Sequence, residues 1–223
     1  GVTGYAVRPK GVRKEKQRVG AFTSADIPKI LALEPDLVLT FSDLQADIAA
    51  ELIRLGITVV AYNQRDIAGI FAMIRHLGVT VGQGRRAARL VRHFEERLAK
   101  IAARSDGRPR TRVYFEEWDE PLISGISWVS ELIQLAGGDD VFASLAREKS
   151  ARDRIILPDQ VVEAAPDIIL ASWCGKKVRP EKIRARTGWE AIPAVRHDRI
   201  AELKSPLLLQ PGPAALTDGL DAI

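Results

Sequence analysis

Residues 33–41 read LEPDLVLTF and residues 164–172 read AAPDIILAS, so each half of the chain carries the same phrase. Each phrase comes after a stretch with helical spacing of apolar residues. Upstream of the first, Ile27, Ile30, Leu31 and Leu33 repeat at that spacing, with Ser24 as the expected N-cap and Asp26 in the first turn. The proline then stops the helix, because a residue that precedes proline avoids the α region. Past each proline, residues 37–41 and 168–171 form a short continuous apolar run rather than an alternating one. Such a run suits a strand covered on both faces of a parallel sheet. A helix that hands over at proline to a buried strand, written twice, confines the chain to α/β architecture.

The intervening sequence extends the pattern. Residues 2–5 read as the end of a strand, and the basic stretch from Arg8 to Gly20 as loop. A helix from Asp43 to Leu55 stops at Gly56, and ITVVAY (57–62) reads as a second buried strand. Asp66 caps a helix to Leu77, with Gly78 as its stop. Between 83 and 104, Ala87, Leu90, Val91, Phe94, Leu98 and Ile101 form one apolar stripe. At ~1.5 Å per residue that helix is about 30 Å long, enough to cross a lobe. The pattern then restarts: strand 112–118, helix 127–138 with a glycine stop, strand 168–171, helix 180–186, strand 199–203 and a last helix 213–223. The organisation expected is an N-terminal α/β lobe at 1–80, a bridging helix at 81–104 and a C-terminal α/β lobe at 105–223.

Composition removes several classes of function. The chain of 223 residues is 46% hydrophobic and 28% charged, which is ordinary for a globular protein. No apolar run approaches the ~18 residues that a membrane-spanning helix requires. The net charge of +4 comes from interspersed charges, and the densest basic stretch, Arg8 to Arg18, lacks interleaved aromatics, so nucleic acid is not an expected partner. One cysteine, Cys174, excludes an internal disulfide framework. The three histidines, His76, His93 and His197, share no metal-ligand spacing. Nucleophile-elbow, phosphate-loop and dinucleotide glycine motifs are absent, and GQGRRA (82–87) reads as a helix start. FEEWDE (115–120) offers four carboxylates for acid–base chemistry, but no second cluster defines a substrate bed.

Ligands of open parallel sheets bind beyond the carboxyl ends of the strands. Those exits carry Tyr5; Phe41, Ser42 and Asp43; Glu116, Glu117 and Trp118; and Ser172, Trp173 and Cys174. Phe41 is either core or ligand wall. Trp173, with Gly175 two residues on, is placed in a loop and expected to be exposed, and Trp118 is similar. Trp128 and Trp189 read as packing residues. Cys174 is an idle thiol or an activated one. Aromatic groups at a site supply flat apolar area at low entropic cost, which suits a large planar ligand.

With the exits placed, the chain resembles the substrate-binding proteins of ABC importers for corrinoids and iron chelates, in particular the cobalamin-binding group. The resemblance rests on VTGY, VGAFTSADIPKILALEPDLVLTF, LGITVVAY, EEW-x-x-P-L-I-S-G at 116–125, ELIQLAGGDDVF and LPDQVVEAAPDIILASWCG, in that order and spacing. It implies two Rossmann-like lobes with parallel sheets bridged by one long helix, and no enzymatic activity. It implies further that the native N-terminus, with a signal region and a first strand and helix, precedes Gly1. Tyr5, Phe22, Phe41 and Trp118 match aromatic positions of the family, and Leu157 falls where some relatives have a tryptophan. Thr23 and Ser24, beside Phe22, are expected to meet the amide arms of a corrin ring. Trp173 and Cys174 join the ligand-binding set by placement alone. Asp47 matches the acid that docks the first lobe on the permease, and Glu181 is assigned the same role in the second. The expected cargo is cobalamin, transported rather than used in catalysis, with no histidine supplied to its cobalt. The expected setting is a monomer outside the cytoplasm that meets the membrane through the permease or an anchor. A ferric siderophore or heme, met by Arg8, Arg18 and Lys176, is the alternative cargo. An enzyme using Cys174 or the 116–120 acids, and a cytoplasmic corrinoid-handling protein, are the alternatives of other kinds.

Overall fold

The computed structural model describes residues 1–223, which divide into two compact units, Gly1–Gln64 and Arg65–Ile223. The first unit opens with β1 (Val2–Thr3), a short helix α1 (Val12–Glu15) and β2 (Arg18–Gly20), which pairs in parallel with β1. The stretch expected as loop therefore contains a helical turn and a strand; both are too short and too charged to give a periodic signal. Helix α2 is Ile27–Leu31, and its cap is Asp26, whose carboxylate accepts from the Lys29 amide at 3.2 Å. Ser24, expected in that position, instead lies in a tight return over Gly20, where the Ser24 carbonyl oxygen leaves no room for a Cβ on the glycine. Strands β3 (Val38–Phe41) and β4 (Val59–Tyr62) pair in parallel in strict register, joined by a 3-10 turn, Asp43–Gln45, and helix α3 (Ala46–Arg54). They form a sheet of two strands, so the continuous apolar run is not covered on both faces as expected. Thr40 is buried, whereas Leu39 is 45% exposed.

The second unit begins with two long antiparallel helices, α4 (Ile67–Thr80) and α5 (Gly84–Ser105). Asp66 caps α4 by accepting from the Gly69 amide at 2.6 Å. Gly78, read from sequence as the helix stop, lies inside α4. A Cβ there would overlap the Ala87 Cβ, so this glycine is where the two helices touch. Helix α5 buries Ala87, Val91, Phe94 and Leu98 along one stripe, as its periodicity predicts.

The sheet of this unit is built on β5 (Thr111–Asp119), with β8 (Ile168–Ala171) and β9 (Ile200–Glu202) next in parallel on one side. On the other side β6 (Leu122–Ser124) pairs antiparallel and β7 (Gly138–Asp140) parallel. Neither β6 nor β7 is legible in the sequence: each has three residues, too few for a strand period to show, and β7 ends in Asp-Asp. Alternate side chains of β5 enter opposite cores. Val113 and Phe115 pack with α4, α5 and α6 (Ser127–Leu135), and Tyr114 packs with Trp173, Trp189, Ile183 and Ile192 on the far face. The central sheet is thus covered on both sides, and its strands read as continuous apolar runs for that reason. The far face carries α7 (Pro158–Ala164), α8 (Pro180–Arg184) and α9 (Pro193–Arg196).

Candidate functional site

In the first unit the carboxyl ends of β3 and β2 are tied by one side chain. Gln45 accepts from the Phe41 amide at 2.8 Å and donates to the Phe22 carbonyl at 2.6 Å. The clamp holds the Phe22 and Phe41 rings 6.4 Å apart with their planes tilted by 42°. Both rings are half-buried, so part of each remains available to a ligand. Gln45 is a residue sequence reasoning missed, because a glutamine in a helix start carries no distinguishing pattern.

Ser42 comes directly after Phe41 with φ 73° and ψ 159°, a region occupied almost only by glycine, at a cost of about 1–3 kcal/mol. The conformation is held because the Ser42 amide donates to the Tyr62 carbonyl at 2.8 Å, while its hydroxyl accepts from the Leu44 amide at 3.1 Å. A strained backbone at a strand exit is a recurrent property of ligand sites. Tyr62, in register with Phe41, adds a third half-buried ring at the same edge, and burial raises its phenol pKa. Tyr5 stands just beyond β1, 44% exposed. The Arg13 guanidinium steadies its turn by donating to the Gly4 carbonyl at 2.6 Å and the Ala6 carbonyl at 3.2 Å. Thr23 and Ser24 are both exposed beside Phe22, and Asp47 is exposed in the first turn of α3.

In the second unit the exits of β5 and β8 meet in a network of ion pairs. Glu116 is fully buried and accepts two bonds from Arg186, at 2.5 and 3.0 Å. It also accepts from the Trp173 indole at 2.9 Å and the Tyr114 hydroxyl at 3.2 Å. Burial and the neighbouring Glu116 charge push the Tyr114 phenol well above its usual pKa. Trp173 is therefore only 2% exposed. The exposed loop position expected for it gives way to a packed one, because its N–H is drawn inward by a carboxylate no short motif could place. Glu117 receives Arg154 through two bonds, at 2.7 and 3.1 Å. Asp119 pairs with Lys176 at 2.5 Å. Three of the four acids in 115–120 are thus matched to a cation each, the pattern of a scaffold rather than of free acid–base groups.

The accessible part of this edge is Trp118 with Lys176. The lysine ammonium lies 4.2 Å from the Trp118 ring centre and 5.1 Å from that of Trp173. Trp118 is half-buried, its N–H donating to the Glu120 carbonyl at 2.9 Å. Ile155 and Leu157, 43% and 66% exposed, run along β6 and extend the apolar rim. Cys174 reaches solvent, yet the protein around its sulfur and the Glu117 carboxylate raise its pKa, so the thiol stays protonated near neutral pH. Glu181 is exposed in the first turn of α8, among Arg179, Lys182 and Arg184. His76 and His93 lie on α4 and α5, and His197 comes after α9, so none stands at a strand's carboxyl end. No group of three or more His, Cys, Asp and Glu side chains is placed to hold a metal ion.

Residues 1–207 match the periplasmic binding protein family. The chain belongs to that family. It is 24% identical over 209 residues to the vitamin B12-binding protein of Vibrio parahaemolyticus, covering 91% of this chain and 72% of that protein. Identity is also 24%, over 233 residues, to the uncharacterised ABC transporter substrate-binding lipoprotein YvrC of Bacillus subtilis, across 100% of this chain and 71% of that one. Among solved structures, the heme-binding protein RhuT of Roseiflexus sp. RS-1 superposes with a TM-score of 0.82 at 22% identity, over 99% of this chain and 88% of RhuT. The vitamin B12-binding protein BtuF of Vibrio cholerae gives 0.72 at 24% identity, over 99% and 84%. Parallel sheets, paired α/β units and one long helix are therefore the fold of a periplasmic binding protein.

Proposed function

We propose that the chain is the substrate-binding component of an ABC importer, that it carries a corrinoid against the strand exits of its α/β units, and that it delivers this cargo to a permease. The observation that carries the reading is the kind of surface found at those exits: Phe22, Phe41 and Tyr62 at one, Trp118 with exposed Leu157 at the other. A corrin ring has wide apolar faces and a fringe of amide arms. Half-buried rings cover such faces, and Thr23 and Ser24 offer hydroxyls to the arms. Trp173 acts from below, as the packed support of Trp118 and Lys176. Asp47 and Glu181, both exposed acids in a helix's first turn, are the residues proposed to meet the permease. The protein works outside the cytoplasm in this reading, as a carrier without catalytic chemistry. The vitamin B12-binding relatives support the same cargo.

The competing cargo is a heme or ferric chelate. Lys176, held over two indoles, is a cation that a chelate's carboxylate could claim from Asp119, and heme-binding proteins are among the structures of like fold. Incubation with cyanocobalamin or hemin, and desalting afterwards, separates the two. The corrinoid spectrum is expected to travel with the protein, and excess hemin is expected not to displace it. Retention of hemin alone would replace the corrinoid with heme.

A further inference from the structure

The hairpin of α4 and α5 carries a surface that the ligand reading does not use. Residues 75–94 contain five arginines and two histidines but no aspartate or glutamate. Arg75 is matched to Glu95 at 2.8 Å. Arg85, Arg86, Arg89 and Arg92 are exposed and make no ion pair. Arg85, Arg89 and Arg92 fall at i, i+4 and i+7, a single row opposite the buried stripe of Ala87, Val91, Phe94 and Leu98. Such a row does not serve the helix. Like charges at i,i+4 repel, and cations in the first turns oppose the helix dipole, where no acid is present.

The tip of the same hairpin is apolar. Val79 and Val81 are 70% and 59% exposed, and the Val79 side chain lies 3.4 Å from the Cβ position of Gly84, at the start of the arginine row. Two bare valines at the head of a row of unmatched arginines have the chemistry of a membrane interface. The apolar tip enters the headgroup boundary, and the cations meet anionic lipid. A nucleic acid would use the arginines but leave the valines in water. We propose that this hairpin tip rests on an anionic bilayer, so that the protein meets the membrane directly as well as through a permease. The inference stands apart from the identity of the cargo.

The test is sedimentation with vesicles of equal parts phosphatidylglycerol and phosphatidylcholine, against phosphatidylcholine alone. The protein is expected to bind the anionic vesicles in a salt-sensitive manner and the neutral ones weakly. Arg85→Glu with Arg89→Glu is expected to lower anionic binding by about tenfold or more. That pair favours the helix dipole, so the loss would not reflect unfolding. Val79→Ser with Val81→Ser is expected to weaken the binding that survives high salt. Equal binding to both vesicle types, indifference to both variants, or binding to a duplex oligonucleotide in place of vesicles would overturn the proposal.

Discussion

Replacing Glu116 by glutamine keeps the shape of the side chain and removes the charge on which the β5 and β8 exits converge. The carboxylate is fully buried and accepts four bonds, two from Arg186 and one each from Trp173 and Tyr114. Breaking a buried ion pair by removing one partner costs about 3–5 kcal/mol, because the other charge stays buried and unmatched. Arg186 retains 19% side-chain exposure and lies 4.4 Å from the Trp189 ring centre, so it regains some but not much water. The low end, about 3 kcal/mol, is the expected loss for Glu116→Gln. At ~2–4 °C per kcal/mol for a chain of this length, Tm falls by about 6–12 °C. Adding Arg186→Met removes the stranded charge and is expected to return most of that loss, since apolar replacement of a whole buried pair is often neutral. Thermal unfolding monitored by circular dichroism reads both variants, with near-ultraviolet ellipticity reporting Trp173. A Tm for Glu116→Gln within ~2 °C of the parent, or a double variant no more stable than the single one, would refute the assigned role.

Other consequences are equally open to measurement. Gly78→Ala places a methyl group where the Ala87 Cβ already stands and is expected to cost about 1–3 kcal/mol in urea unfolding, which an Ala87→Gly partner relieves. Glu131, which accepts from the Ile67 amide at 2.7 Å, has its pKa raised chiefly by burial. The folded state therefore holds this proton more tightly than the unfolded one, so its contribution to stability is present at low pH and is lost as pH climbs past the unfolded carboxyl value of 4.5. The Tm of Glu131→Gln minus that of the parent is expected to grow between about pH 4 and pH 7; a flat difference would contradict the assignment. Cys174, with its thiol pKa raised by desolvation, is expected to alkylate more slowly at neutral pH than a free cysteine, and Cys174→Ala to leave ligand binding unchanged.

Much of the second unit is readable because its grammar is local. A proline-terminated helix, a doubly covered strand and a glycine stop at Gly137, where φ is 95°, each leave a mark on neighbouring residues. The α5 helix is equally plain, since its stripe repeats over 22 residues. The hidden features depend on contacts distant in sequence. Gly78 looks like a helix stop until Ala87, on the next helix, explains it. Trp173 lies in the loop beyond β8, as expected, but it looks exposed until Glu116, 57 positions earlier, draws it inward. Gln45 has no signature at all, although it ties Phe22 to Phe41. In the first unit, strands of two or three residues such as β1 and β2 offer too little length for any period to show.

The proposed cargo is tested most directly by calorimetric titration of the protein with cyanocobalamin, alongside a variant carrying Phe41→Ala and Trp118→Ala. The account predicts a single saturating site in the parent and at least about tenfold weaker binding in the variant, as expected when two aromatic contacts are lost. Absence of binding at tens of micromolar cyanocobalamin, or equal affinity in the two proteins, would contradict it.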